Sequence, residues 1–216
     1  MLRVPEVAVE LDEIKRRLGS GEPYLANDPA LRPYRKRCET LLDRFNATLL
    51  GDQEGRTALL GQLLGAVGPG VRVVPRFLCE FGFFIELGAR SRINFDAILL
   101  DCAPITIGAD VRMGPRCQLY TANHSDRAAL RHGAWESARP IRVGDGAWLG
   151  GGVIVLPGVT IGADTVVGAG SVVTKDLPAG VVAVGNPARV VRSVEQGGAR
   201  GEAGGSALPD ASGARP

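Results

Sequence analysis

An aliphatic residue recurs at every sixth position through much of residues 107–184 of this chain. Gly follows it in Ile107-Gly108, Met113-Gly114, Val143-Gly144, Leu149-Gly150, Ile161-Gly162 and Val167-Gly168, whereas Leu119, Val155 and Val173 keep the aliphatic place without the Gly. A second column at the same spacing holds the small or β-branched residues Val153, Val159, Thr165 and Ser171. A fixed short period marks an array of repeated units, and a six-residue period predicts a parallel β-helix. One hexapeptide is a short strand plus a corner, so three close a triangular coil of about eighteen residues. The aliphatic side chain points into the prism, and the Gly after it is expected at the tight corner, where a side chain would be strained. Coils stacked at about 4.8 Å pair one another's backbone groups, and several must stack before any interior is buried. The glycines do not suit a dinucleotide fingerprint, because no helical pattern follows them to receive a phosphate.

Ahead of the array the pattern is helical. Val9, Leu11, Ile14 and Leu18 stand among charges over about residues 6–18, ending at Gly19-Ser20-Gly21. Asn27 or Asp28 reads as an N-cap with Pro29 at the first helical position. Leu31, Tyr34, Cys38, Leu41, Leu42 and Phe45 then follow at helical spacing, while Arg32, Arg35, Lys36 and Arg37 read as a solvated face. A third helix is expected over residues 52–64, before Gly65, Gly68, Pro69 and Gly70. Residues 1–70 are therefore assigned to a helical N-terminal segment and 71–184 to the β-helix. Within the latter, Phe81, Leu87, Ile93 and Leu99 already keep the six-residue spacing, and Ile107, eight after Leu99, implies a two-residue insertion near Asp101-Cys102. The charged stretch 125–142 lacks the repeat and should loop out of a corner, and a long excursion from a regular solenoid is a place for function. Residues 185–196 read as a C-terminal cap. The Gly/Ala/Ser/Pro-rich stretch 197–216 reads as a disordered tail.

Composition narrows the partners. The 216 residues, 45% of them apolar, suffice for one main domain with a real core. A net charge of +2, with both signs interspersed, gives no drive toward nucleic acid or an anionic membrane. The N-terminus carries no apolar signal region and no run approaches transmembrane length. The four cysteines (Cys38, Cys79, Cys102, Cys117) form no C-x-x-C pair, so free thiols in a reducing cytoplasm are expected.

Only two histidines are present, His124 and His132. His124 ends the regular stretch Leu119-Tyr120-Thr121-Ala122-Asn123, where scaffold gives way to excursion. An ordinary imidazole, titrating near about 6.5, can take a proton from a hydroxyl at neutral pH; a hydrogen-bonded loop histidine is the other reading from position alone. His132, inside the charged stretch, reads as a plain loop residue. Two imidazoles cannot supply the three that a zinc carbonic anhydrase built on such a solenoid needs, and the cysteines have no ligand spacing, so no metal is expected.

Several runs resemble one family closely. They are Asn94-Phe95-Asp96, Leu100-Asp101-Cys102-Ala103-Pro104-Ile105, Tyr120-Thr121-Ala122-Asn123-His124, Pro140-Ile141-Arg142-Val143-Gly144-Asp145-Gly146-Ala147-Trp148-Leu149-Gly150-Gly151-Gly152, Val155-Leu156-Pro157-Gly158-Val159-Thr160-Ile161-Gly162, Gly168-Ala169-Gly170-Ser171-Val172-Val173-Thr174-Lys175-Asp176 and Gly185-Asn186-Pro187-Ala188-Arg189-Val190. Together with Gly21-Glu22-Pro23-Tyr24, Asp28-Pro29 and Phe45-Asn46 they resemble the maltose/galactoside O-acetyltransferases. That group of hexapeptide-repeat acyltransferases includes nodulation-type acetyltransferases, and the likeness covers residues 19–194. The resemblance implies a mainly β fold, a left-handed parallel β-helix with a short helical N-terminal segment, although parallel crossovers are ordinarily right-handed. It also implies a homotrimer with an active site at each subunit interface, and acetyl-CoA as acyl donor. By the same resemblance His124 is the catalytic histidine, Asn94 and Asp101 lie near the acceptor, and Glu136 is a loop carboxylate that orients the imidazole. Trp148 lies beside the coenzyme. The backbone amides of Gly151 and Ala169, eighteen residues apart and so on adjacent coils, meet the pantetheine arm, with the Gly151 N–H holding the oxyanion. Thr174, Lys175 and Arg189 mark the end where the phosphates lie. From position alone, Trp148 also reads as packing and Lys175 as a solvated lysine.

Three departures stand out: Ser125 where the family has Pro, Arg92 where it has an apolar or aromatic residue, and a different stretch at 130–135. Trp135 there lines a sugar-binding face or anchors the loop. The expected chemistry is direct attack of a sugar or glycoside hydroxyl on the thioester, because no cysteine has a base partner for a covalent route. The alternatives are the same fold acting on a nucleotide-sugar amine or on serine, and a noncatalytic scaffold, against which the joint presence of His124, Trp148, Lys175 and Arg189 speaks.

Overall fold

The computed structural model describes residues 10–195. The start of the first expected helix, the last residue of the expected cap and the 197–216 tail lie outside the described residues. The apolar stripes become three helices: α1 (Leu11–Gly19) buries Ile14 and Leu18, α2 (Arg32–Asn46) buries Cys38, Leu41, Leu42 and Phe45, and α3 (Gln53–Leu63) buries Leu59, Leu60 and Leu63. Side-chain caps start two of these segments. Asp28 accepts the Ala30 N–H at 2.9 Å and launches a single 3₁₀ turn, Pro29–Leu31, into α2, and Asp52 accepts the Gly55 N–H at 2.8 Å ahead of α3.

Beginning at Ala66–Val67, before the expected Val71, the chain winds as a left-handed parallel β-helix with three faces. The first face stacks Phe77–Cys79, Ala97–Leu100, Gln118–Tyr120, Ile154–Val155 and Val172–Val173. The second stacks Ala66–Val67, Ile85–Leu87, Ile105–Ile107, Ile141–Val143 and Thr160–Ile161. The third runs Arg72–Val73, Arg92–Ile93, Arg112–Met113, Trp148–Leu149, Val166–Val167 and Val181–Val184, and the antiparallel strand Arg189–Ser193 closes it. Register puts the aliphatic column in line, for example Leu99 with Leu119, Leu119 with Val155 and Val155 with Val173. All four are fully buried, each such side chain contributing about 1.5–3 kcal/mol. The same core runs on into Phe45, Leu60 and Leu63, so α2 and α3 seal the first coil.

The glycines act differently from the sequence expectation. Those that follow the aliphatic residue are not the ones with positive φ; that conformation falls two residues later, at Asp110, Arg116, Gly146, Gly152, Asp164 and Gly170. What excludes a side chain at the earlier position is the neighbouring coil. A Cβ on Gly114 would lie 2.5 Å from the Gly151 nitrogen, and one on Gly150 would lie 2.6 Å from the Ala169 nitrogen.

Phe81 also departs from its expected place. The residue in register with Leu99 is Cys79, and Phe81 joins a separate cluster with Phe83, Phe84, Tyr24, Cys102 and Ala103. The extra residues after Cys79 and after Leu99 bulge at one corner, between the first and second faces, and the excursion leaves from that corner one coil later, ending before residues 141 and 142, which rejoin the second face in Ile141–Val143.

Candidate active site

The excursion is anchored rather than loose. Ala122–His124 pairs antiparallel with Trp135–Ala138, which pairs in turn with Tyr24–Leu25 of the N-terminal segment, and a short helix, Ala128–His132 (α4), spans the tip. In that register His124 stands opposite Glu136 and Tyr24 is Glu136's other neighbour. The His124 Nε2 faces Glu136 Oε1 at 3.7 Å, and the Tyr24 hydroxyl donates to Glu136 Oε2 at 3.0 Å. The His124 side chain is 58% exposed and that of Glu136 only 17%. A fixed carboxylate beside an exposed imidazole favours the proton on the nearer nitrogen and leaves the other as proton acceptor. Burial above all, then Cys102 and Glu136, hold the Tyr24 hydroxyl far above its usual value, so it stays a donor. In the sequence Tyr24 stands out only as part of the family-like run Gly21-Glu22-Pro23-Tyr24, and nothing there shows its contact with Glu136, 112 positions away. Pro23, Ser125, Leu130, Trp135, His124 and Glu136 line a cavity of about 400 Å³.

Thr174 and Lys175, both exposed, follow Val173 at this same edge of the first face. The remaining expected residues, Asp101 apart, occupy the opposite edge or the adjoining third face. Asn94 follows Ile93, and Gly151 and Ala169 follow Leu149 and Val167, which are in register. Gly170 donates to the Gly151 carbonyl at 2.9 Å, which stacks the two corners. The N–H groups of Gly151 and Ala169 meet no acceptor among the described residues. Two stacked, unpaired donors on rigid corners suit an amide-rich chain and a developing oxyanion. Trp148, 54% exposed, stands on the third face next to this edge, and Arg189 pairs with Val184 farther along the same face. One chain therefore brings together His124, Glu136, Trp135, Thr174 and Lys175 on one edge, and Asn94, Gly151, Ala169 and Trp148 on the other.

Asp101 belongs to neither group. It is fully buried, and its carboxylate accepts the N–H groups of Glu80 and Phe81, each at 2.9 Å, and of Phe84 at 3.3 Å. The bulge at Phe81 lacks coil partners for its amides, and the Asp101 carboxylate accepts them instead. Burial pushes its carboxyl up to about 7 against the pull of these donors. The unfolded chain releases this proton near about pH 4 and the folded one holds it to about 7, so the stability contributed here falls as pH rises across that window. Asp101→Asn should flatten that slope in urea unfolding midpoints compared at the two ends of the window. Asp101→Ala should cost about 3 kcal/mol or more, since each stranded buried donor costs about 1–3 kcal/mol.

Comparison with known proteins gives a consistent picture. A family model described as the maltose acetyltransferase hexapeptide capping motif matches residues 17–68, and one described as bacterial transferase hexapeptide (six repeats) matches residues 140–175. Nodulation protein L of Rhizobium meliloti (strain 1021) is 44% identical over 176 residues, covering 82% of this chain and 96% of its own length. The crystal structure of a maltose O-acetyltransferase from Clostridium difficile 630 superposes with a TM-score of 0.81 at 45% identity, covering 83% of this chain and 96% of that one. A galactoside acetyltransferase in complex with coenzyme A also gives 0.81, at 32% identity, covering 88% of this chain and 94% of its own.

Proposed function

Because the chain belongs to the maltose/galactoside O-acetyltransferase family of hexapeptide-repeat acyltransferases, we propose that it moves an acetyl group from acetyl-CoA to a hydroxyl of a sugar or glycoside, at a site shared between protomers of a homotrimer. The observation that carries this reading is the division of the candidate residues between two opposite edges of one apolar face.

The outward positions of the first face are Leu78, Ile98, Gln118, Ile154 and Val172, with one polar residue among five. A contiguous apolar sheet face calls for cover. Three copies turning this face to a common axis cover it, and each copy then sets the His124 edge against the Gly151 edge of the next, a head-to-tail contact that closes.

In the shared cleft His124 takes the proton of the acceptor hydroxyl as its oxygen attacks the thioester carbonyl. Glu136, held by Tyr24, positions the imidazole and stabilises it once protonated. The Gly151 N–H faces the oxygen that becomes negative, a contribution of about 2.7–4 kcal/mol per donor in comparable sites. The carbon–sulfur bond then breaks, and His124 returns its proton to the departing thiolate. Acetyl-CoA, when bound, supplies the activated acyl group. The Gly151 and Ala169 amides, Trp148, and the exposed cations Lys175 and Arg189 fit its amide arm and phosphates. Arg189 has its own Ala188 carbonyl as the partner of Nη1 and is otherwise turned outward. The four cysteines are free thiols, in keeping with a cytoplasmic enzyme, and among the described residues no helix is long and apolar enough to cross a membrane.

The test is thioester consumption against matched saccharide hydroxyls and amines, with thermal unfolding plus and minus coenzyme A. Saturable consumption with a saccharide hydroxyl is expected. Coenzyme A at about a hundred times its Kd should add about 2.7 kcal/mol, a rise of several degrees in Tm. Turnover of amines alone would replace the hydroxyl acceptor, and absence of any coenzyme effect would return the scaffold reading.

A further inference from the structure

On the third face, three arginines occupy the outward position of successive coils. Arg72 is in register with Arg92 and Arg92 with Arg112, and the next rung carries Trp148. Strand spacing sets their Cα atoms about 5 Å apart, and like charges directly opposite on a sheet repel. No hydrogen-bonded or ion-paired partner meets any of the three guanidinium groups among the described residues. The corner arginines of the same coils are treated otherwise. Arg90 grips Asp110 at 2.5 and 2.8 Å, and Arg76 and Arg116 share Asp96 at 3.2 and 3.9 Å. Asp110 does feel Arg112, but as a lesser influence than Arg90. The fold therefore neutralises its corner cations, leaves Arg72 and Arg92 uncompensated and gives Arg112 only the weaker pull of Asp110. The column lines a cavity of about 430 Å³ together with Asn94, Gly114 and Trp148.

Position along the axis says what an anion there would belong to. The Gly151 amide lies on the Trp148 rung, and Thr174, Lys175 and Arg189 lie toward the C-terminal coils. Arg112, Arg92 and Arg72 extend the other way, one, two and three rungs from Gly151, so Arg92 is about 10 Å from it. A coenzyme whose phosphates reach Lys175 and Arg189 leaves this side to the acceptor, and Asn94 stands two residues from Arg92 at its entrance.

We infer that the acceptor is an acidic saccharide, with a carboxylate, sulfate or phosphate about one sugar unit away from the hydroxyl that is acetylated, held by Arg72, Arg92 and Arg112. This rests on the proposed acetyl transfer and specifies its substrate. Planar guanidinium groups match such oxyanions bidentately, and the bound anion relieves the repulsion within the column.

The test compares a galacturonic acid disaccharide with the matched neutral galactose disaccharide, titrated into the coenzyme A-loaded protein by calorimetry. The acidic disaccharide should bind at least tenfold more tightly, with the preference shrinking as salt rises. Arg72→Gln combined with Arg92→Gln should reduce the acidic-to-neutral affinity ratio about tenfold or more and leave the Kd of coenzyme A unchanged. Equal affinity for the two disaccharides, or binding of neither, overturns the inference. Weakened coenzyme A binding in the variant overturns it as well, and assigns the column to the coenzyme phosphates. Failure of acetyl-CoA turnover with every acceptor is a separate result that bears on the acetyltransferase reading, because the affinity ratio is read without catalysis.

Discussion

Replacing His124 with Ala should lower kcat for acetyl transfer by about 10²–10⁴, the range a positioned general base supplies. The loss should appear in turnover and not in donor affinity, because the residues proposed to hold the coenzyme's amide arm stand on the other edge of the first face. His124 is largely exposed and makes no contact that the core depends on, so the variant should unfold at nearly the wild-type temperature. Steady-state kinetics with acetyl-CoA and a saturating saccharide, alongside thermal unfolding and light scattering, measure all three quantities. Turnover within about threefold of wild type, at a pH where the acceptor hydroxyl is protonated, would remove His124 from the mechanism.

Mixing two inactive proteins should restore activity. His124→Ala disables one edge; Gly114→Val disables the other, since even a Cβ at that position would press on the Gly151 amide. If each site takes one edge from each of two neighbouring protomers in a closed ring of three, random reassembly leaves about a quarter of the sites with both edges intact. Co-refolded or co-expressed protein should thus recover about a quarter of wild-type turnover from two preparations that have almost none. A site complete within one chain predicts no recovery, whatever the oligomeric state. Gly114→Val alone must first be shown to assemble by light scattering, and Asn94→Ala serves in its place if it does not.

What could be foreseen from the sequence follows from which features repeat. The aliphatic column repeats in every coil, so Leu119, Val155 and Val173 announced the prism without any structure. The same repetition misled at Phe81, which keeps the six-residue spacing yet belongs to the bulge. The role of the glycines was misread because the period shows where Gly108 or Gly114 recurs, and not whether φ or a neighbouring coil demands it. Asp101 sits in a run that resembles the family, but its neighbours in space are the backbone amides of residues 80–84, a contact that no local pattern carries. The Tyr24 to Glu136 hydrogen bond joins positions 112 apart, and it becomes visible only once the excursion folds back on the N-terminal segment. Arg72, Arg92 and Arg112 are each twenty apart, one bulged coil rather than one regular coil. Their alignment was therefore hidden until the bulges were placed.

Those bulges share one corner with the excursion, and every rung beyond them still meets its neighbour strand to strand. Extra chain admitted there changes neither the pitch nor the stacking of the amides across the face. That corner is a splice point: what it carries can be lengthened, shortened or exchanged while the ladder proposed to hold the donor keeps its stacking.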